Sequence, residues 1–148
     1  MKIVVIAIGM VTSLLCIKAE DKATLKLVIT NITKQGKIYV ALHKSNDKFP
    51  DGDDKIVKRL TGTCNSATCV FDLGEVMYGD YAIAIYQDEN GNGKLDTGAF
   101  GVPKEPFAFS NNFKPRFGGP DFEKCKFTVN QTEQTVNIEM INSLFGGK

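Results

Sequence analysis

The chain has 148 residues, enough for one domain built around a single hydrophobic core. Its 18 basic and 17 acidic residues give a net charge of +1, which excludes the large one-signed field that attracts nucleic acid. A hydrophobic content of 43% and a charged content of 24% are typical of a globular protein. We therefore expect no nucleic-acid partner.

The N-terminus predicts an export signal. Lys2 supplies a positive charge, an almost unbroken apolar run follows, and Ala19 offers a small residue at a cleavage point. The run is shorter than the roughly 20 residues that a membrane-spanning helix needs. We predict a cleaved signal peptide over residues 1–19 and a mature domain over residues 20–148 that is periplasmic or extracellular and has no membrane span. An uncleaved anchor and lipidation at Cys16 are the alternatives.

Export bears on the cysteines, because disulfides form and persist in oxidising compartments. Cys64 and Cys69 enclose four residues in the segment CNSATC, a spacing that lets two cysteines face each other across a turn. We predict a disulfide between them; half of a zinc site and free thiols are the alternatives. Cys125 is then left over, and we expect it to be a small buried residue on a strand.

Most of the mature chain alternates apolar and polar residues between turn signals, which is the pattern of half-buried strands. The segments with this pattern are Ala23–Thr30, Lys37–Lys44, Lys55–Gly62, Thr68–Gly74, Tyr81–Asp88, Lys124–Asn130 and Gln134–Ile141. We therefore predict an all-β fold, a single β-sandwich of about seven strands.

One long connection interrupts the strands. The stretch from Thr97 to about Phe122 carries four prolines and several glycines, so it cannot hold a long helix. An irregular loop of this length inside a compact domain needs a function or something that orders it. We expect Phe107 and Phe109 to fill a core; a surface presented to a partner is the alternative.

The segment DENGNGKLD places oxygen-bearing side chains at alternate positions. Asp88, Asn90 and Asn92 occupy the first, third and fifth positions of the segment. Gly93 and Asp96 occupy the sixth and the ninth. This is the D-x-N-x-N-G-x-x-D pattern of a calcium-binding loop, in which hard oxygen donors wrap the cation and glycine permits the sharp turn.

Further donors complete the predicted calcium site. Lys94 would offer its backbone carbonyl at the seventh position, and Glu105 is the nearest downstream carboxylate, with Asn111 and Asn112 as additional candidates. Position twelve is Ala99 instead of the bidentate glutamate of an EF-hand, so we do not expect a full EF-hand. Two carboxylates in the core pattern indicate a modest affinity, about 10⁻⁴–10⁻³ M. The alternative is a polar turn between two strands.

The block from Tyr81 to Asn112 resembles the bacterial exported family catalogued as domain of unknown function 2141. The elements of the family pattern are a Y-A strand, D-x-N-x-N-G-x-x-D, G-x-P-x-E and F-S-N. Here they fall on Tyr81-Ala82, Asp88 to Asp96, Gly101 to Glu105, and Phe109 to Asn111. The resemblance implies a secreted β-sandwich of the immunoglobulin or transthyretin type and implies no particular activity.

Three functional interpretations follow. The first is a non-enzymatic exported module whose calcium-type loop orders the long connection, which is then presented to a protein or glycan partner. The second is a hydrolase that uses Asp88 and Glu105 as paired carboxylates. Ser110 lacks an evident base for such chemistry, and we expect His43, at the end of a strand, to be solvated. The third is a purely structural module with no bound cation. We predict the first.

Overall fold

The computed structural model describes residues 21–44, 48–116 and 118–144, and the predicted signal peptide over residues 1–19 lies outside this range. The described chain forms two packed β-sheets, which confirms the all-β sandwich. The strands are β1 Lys22–Thr30, β2 Lys37–Lys44, β3 Ile56–Thr63, β4 Cys69–Met77, β5 Gly79–Asp88, β6 Phe107–Phe109, β7 Phe127–Val129 and β8 Glu133–Glu139. One short helix, α1, spans Phe122–Cys125, and single 3₁₀ turns span Asp53–Lys55, Ala99–Gly101 and Ser110–Asn112.

The two sheets differ in size and in strand direction. In the first sheet, with strand order β4-β1-β8, β1 is antiparallel to β4 and parallel to β8. The second sheet has the order β3-β2-β5-β6 and is antiparallel throughout. The short strands β6 and β7 share the second edge of β5, where β6 pairs with its later part and β7 with its first residues. This long strand therefore organises the second sheet.

The main core lies between the sheets and follows from the predicted alternation. Every second residue of β1, β2 and β5 points inward and is buried, because successive side chains of a strand alternate between its faces. These residues are Ala23, Leu25, Leu27, Ile29, Ile38, Val40, Leu42, Tyr81, Ile83 and Ile85. In β1 and β2, all of these residues except Ala23 are the apolar positions of the predicted alternation, and in β5 they share the one face that the alternation groups together.

A second apolar cluster covers part of the outer face of the five-stranded sheet. Its members come from several separate segments: Phe49, Ala82, Phe107, Phe109, Phe122, Cys125 and Ile141. Phe107 and Phe109 are thus buried, as predicted. The backbone of Phe107 exchanges hydrogen bonds of 3.1 and 2.8 Å with that of Ile141, so the segment after β8 closes this cluster.

The prediction that His43 is solvated was wrong. His43 lies on the outer face of β2 and is fully buried, and its ring meets that of Phe49 edge to face at 5.0 Å. The sequence period gives the face of the sheet, but the loop that carries Phe49 covers this face at the end of β2. Neither ring nitrogen has a hydrogen-bond partner among the described residues.

The cysteine predictions were partly confirmed. Cys64 and Cys69 form a disulfide that joins the end of β3 to the start of β4, with their Cα atoms 5.9 Å apart. Cys125 is buried and unpaired, as expected, but it lies on α1 instead of on a strand. Burial raises the pKa of its thiol to about 12, which makes the thiol unreactive.

The predicted strand Lys124–Asn130 begins later in the structure than its pattern indicates. The segment predicted as a strand from Lys124 opens with α1, because the side chain of Asp121 accepts a hydrogen bond of 2.8 Å from the Lys124 N–H and caps the helix. Strand β7 follows the helix, from Phe127. The three-residue strand β6 lies inside the connection that was predicted to be irregular.

We predict that His43 makes stability depend on pH. Burial, and secondarily the charge of Arg59, lower the pKa of His43 below its ordinary value of 6.5, while Asp53 and Asp51 raise it by less. Below pH 6.5 the unfolded chain therefore binds a proton that the native state resists, so stability is full above this pH and is lost as the pH falls. The free energy of unfolding should drop between about pH 7.5 and about pH 5.5, by at most about 1.4 kcal/mol per pH unit.

The measurement is urea unfolding across that pH range for the wild type and for His43→Phe. The chain has one histidine, so the substitution should remove most of this pH dependence. An equal slope in both proteins would contradict the prediction.

The disulfide should stabilise the fold by about 2 kcal/mol, because it closes a short loop and restricts the unfolded chain only modestly. Urea unfolding of the wild type with and without reductant measures this loss. The variant with serine at both Cys64 and Cys69 should be less stable whether or not reductant is present. A wild type that is insensitive to reductant would disprove the prediction.

Candidate functional site: the Asp88–Asp96 loop

Asp88 sets the shape of the loop that follows β5. Its side chain is only 2% exposed, and its carboxylate accepts three backbone N–H groups. Oδ1 accepts from Gly91 at 2.7 Å and from Asn92 at 3.2 Å, and Oδ2 accepts from Gly93 at 2.7 Å. Both glycines have a φ of 77°, in the left-handed region that glycine adopts readily. The carboxylate thus folds the chain around itself.

Three further residues of the predicted site, Asn90, Asn92 and Asp96, are joined by hydrogen bonds between their side chains. The amide Nδ2 of Asn92 donates to Oδ1 of Asp96 at 3.0 Å, and Nδ2 of Asn90 donates to the other oxygen, Oδ2. The two amide oxygens accept backbone N–H groups, from Asn92 at 3.1 Å and from Lys94 at 2.8 Å. The structure therefore gathers Asn90, Asn92 and Asp96 into one polar cluster, with both Asp96 oxygens at its centre.

Glu105 fastens the long connection to this loop. It is 6% exposed, and its two oxygens accept the backbone N–H groups of Glu89 and Asp96, each at 2.9 Å. The neighbouring Lys104 N–H donates to the Asp96 carbonyl at 2.8 Å. Glu105 therefore ties the start of the loop to its end. Its part as a direct cation ligand, like that of the Lys94 carbonyl, stays a prediction.

The base of the loop packs closely against the β1–β2 connection. Gly36 is in contact with the Asp88 backbone, and a Cβ atom at this position would lie 2.2 Å from the Asp88 carbonyl oxygen, closer than any side chain tolerates. Beside it, the Gln87 side chain donates to the Lys34 carbonyl at 2.9 Å, and Lys34 pairs with Glu89 at 3.6 Å. The β1–β2 connection therefore also holds the start of the loop in place.

Two tyrosines connect the loop to the sheet. The rings of Tyr39 and Tyr86 stack with centroids 4.7 Å apart and planes inclined by 3°. The Tyr86 hydroxyl donates to the Gly93 carbonyl at 3.0 Å. Burial raises the pKa of Tyr86, and the charges of Tyr39, Asp88 and Glu105 add to this rise, so the phenol keeps the proton that it donates.

Residues Ser110 to Asn112, which overlap the F-S-N element, form a staple: their side chains bond to the backbone of several other segments. The sequence did not reveal this role. The buried Ser110 hydroxyl accepts the Ile83 N–H at 2.8 Å and donates to the Cys125 carbonyl. Asn111 donates its amide to the Lys126 carbonyl, and the Asn112 side chain accepts the Glu139 N–H at 2.7 Å. The positive φ angles of Asn111 and Asn112, 59° and 50°, are typical of asparagine in local hydrogen-bonded turns.

The side chains of the loop are oxygen donors of the type that hard cations prefer, but few of them are charged. Within residues 21–44, 48–116 and 118–144, no three His, Cys, Asp or Glu side chains cluster as a metal-binding group. The loop instead combines Asp88 and Asp96 with two asparagines, and carboxylate and amide oxygens are the ligands that calcium prefers.

Fold and loop together define a class of protein: an all-β sandwich with an Asp/Asn-rich loop clamped by a downstream glutamate. The chain belongs to the family described as uncharacterized proteins conserved in bacteria, DUF2141, which matches residues 27–137. This confirms the resemblance noted in the sequence. Searches of curated proteins and of solved structures give no match. Across the described part of the chain, no helix has the length and apolar character to cross a membrane.

We predict that Glu105→Gln lowers the free energy of unfolding by about 1–3 kcal/mol, because a glutamine offers one oxygen where two partly buried N–H groups need acceptors. Glu89→Gln is the matched control: it changes a glutamate of the same loop whose side chain is one-third exposed and should cost less than about 0.5 kcal/mol. Urea unfolding gives the energies, and faster amide exchange at Glu89 and Asp96 in Glu105→Gln would localise the effect. Equal stability of the two variants would refute the clamp.

Proposed function

We propose that this protein is an exported, non-enzymatic β-sandwich module whose Asp88–Asp96 loop binds Ca²⁺ and thereby orders the long connection that follows it. The observation that carries the proposal is the convergence of the Asn90, Asn92 and Asp96 side chains, held in place by the backbone bonds of Asp88. This preformed arrangement reduces the ordering that a ligand must otherwise impose.

The asparagine amides supply the chemical argument. Both Nδ2 groups of Asn90 and Asn92 point at the Asp96 carboxylate, where they offset its negative charge as a cation would. A bound cation would take the place of these donors beside the Asp96 carboxylate, and each amide oxygen, which accepts one backbone N–H, has a second lone pair for the cation. Asp88, the Lys94 carbonyl, and water or Glu105 would complete the oxygen set.

A cation at this loop would act on the connection through Asp96. The Lys104 N–H donates to the Asp96 carbonyl, and Thr97 pairs with Pro103 directly beyond it. The short hairpin that they close carries Phe100, which is fully exposed at its tip and has a φ of 60°. We propose that this tip is the surface presented to a protein or glycan partner, because Phe107, Ala108, Phe109 and Ser110 of the same connection are buried.

The same contacts argue against the hydrolase alternative. A general base needs access to its substrate, whereas Asp88 and Glu105 are 2% and 6% exposed and together accept five backbone N–H groups. The Ser110 hydroxyl is bonded to the backbone on both sides. These observations support the non-enzymatic form of the proposal.

Export is the setting that we propose for this function. The Cys64–Cys69 disulfide is consistent with an oxidising compartment, and the N-terminal segment has the charge and apolar pattern of a signal peptide. A periplasmic or extracellular location would also expose the loop to millimolar calcium, which a site of modest affinity requires.

We predict that about 10 mM calcium raises the free energy of unfolding by about 2 kcal/mol at a dissociation constant of about 10⁻⁴–10⁻³ M, because the ligand stabilises the native state by mass action. The measurement is a thermal melt of the mature protein in calcium and in chelator. Asp96→Asn should abolish the rise, while Glu89→Gln should retain it. Midpoints that do not differ between calcium and chelator would rule out the cation site and leave a purely structural module.

A further inference from the structure

The outer face of the five-stranded sheet carries an open trough of about 410 Å³. Its floor follows from the strand register. Ala41 pairs with Arg59 on one side and with Ala84 on the other, and Ala84 pairs in turn with Phe109. A row of two alanines between larger side chains leaves a depression that runs across the strands, because the neighbouring residues on the same face rise above it.

One wall of the trough is mostly aromatic. The next row on the same face contains Thr61, Tyr39, Tyr86 and Phe107, which are cross-strand neighbours. The stacked tyrosines form its centre, and Leu95 of the Asp88–Asp96 loop extends it. The hydrogen bond from Tyr86 to Gly93 holds sheet and loop together here. Pro50 and Asp51 form part of the opposite wall.

The two ends of the trough differ in polarity. At the β6 end it is bounded by Phe107 and Phe109, which are almost fully buried. At the β3 end it is bounded by Arg59 and Thr61, which are exposed. A small-molecule site of this size is typically an apolar cleft with a few polar groups that fix the ligand's orientation. This difference in polarity therefore sets the orientation of a ligand, with its apolar end toward β6 and its polar end toward β3.

We propose that the trough binds a small amphipathic molecule with a flat apolar or aromatic body and an anionic head, the body lying over Ala41 and Ala84 and the head beside Arg59. A guanidinium group recognises carboxylate, sulfonate or phosphate oxygens through parallel N–H donors. Arg59 pairs with Asp53, but both side chains are more than half exposed, and such a pair contributes little. Replacing Asp53 by the ligand's head at Arg59 therefore costs little.

This site goes beyond the proposed cation binding and does not depend on a bound cation. The loop contributes Leu95 and the anchor of Tyr86, both of which the loop's own hydrogen bonds hold in place. The binding measurements are therefore made in chelator, where a failure of the cation proposal has no influence on them.

The probe is anilinonaphthalene sulfonate, whose fluorescence rises in apolar sites, compared with phenylnaphthylamine, which has a similar ring body and no charge. We expect the wild type to bind the sulfonate at one site. Ala84→Leu should abolish binding of both probes, because the added side chain occupies the floor. Ala41→Val, which adds less volume, is the second blocking variant should Ala84→Leu lose its native circular dichroism spectrum. Val70→Ser removes an exposed apolar side chain from β4, in the other sheet, and should leave binding unchanged.

Two charge variants test the head of the ligand by the sign of their effects. Arg59→Gln should raise the dissociation constant of the sulfonate about tenfold, as expected for the loss of a charge-assisted contact, and leave that of phenylnaphthylamine unchanged. Asp51→Asn should lower the sulfonate's constant, because a like charge is removed from the trough. If Arg59→Gln instead lowers the sulfonate's dissociation constant and Asp51→Asn raises it, the trough prefers cations, and the proposed anionic head is wrong. Absence of sulfonate binding, or binding that both floor variants leave intact in folded protein, would overturn the site itself.

Discussion

Two buried carboxylates, Asp88 and Glu105, determine the architecture on which the candidate site depends. An ionised carboxylate taken out of water is unfavourable unless hydrogen bonds replace its hydration. Here five backbone N–H groups do so, three on Asp88 and two on Glu105. Because each bond goes to the main chain, the two side chains fix the path of the backbone and not only the position of neighbouring side chains. Glu105 thereby joins the long connection to both ends of the Asp88–Asp96 loop.

Several features follow from this constraint. Within the loop, the side chains of Asn90 and Asn92 converge on Asp96, and Leu95 forms part of a wall above the sheet. Downstream of the clamp, the connection pairs as β6 and is then tied to β5, α1 and β8 through the staple from Ser110 to Asn112. A connection that is long for a compact domain is thus ordered by side chains that bond to backbone, together with the pairing of β6 and the burial of Phe107 and Phe109.

Patterns that depend on neighbours in sequence were predictable. The alternation of β1, β2 and β5 gave the inward faces correctly, and the spacing of Cys64 and Cys69 gave the disulfide. The sequence failed where distant segments decide the environment. His43 has the period of an outer-face residue, and only the Phe49 loop makes that position buried. Strand β6 has three residues, too few for any periodicity, and exists because β5 and Ile141 flank it. The spacing of Glu105 marks a carboxylate near the loop but does not show that its oxygens accept the N–H groups of Glu89 and Asp96.

We propose that the preformed oxygen-rich loop beside Tyr86 binds a hard cation. Terbium luminescence sensitised by tyrosine tests it most directly, because terbium binds calcium-type oxygen ligands and Tyr86 donates to the loop at Gly93. We expect terbium emission that saturates at one ion per chain, that calcium displaces, and that Asp96→Asn abolishes with the fold intact. Emission that is absent, or that persists unchanged in Asp96→Asn, would contradict it.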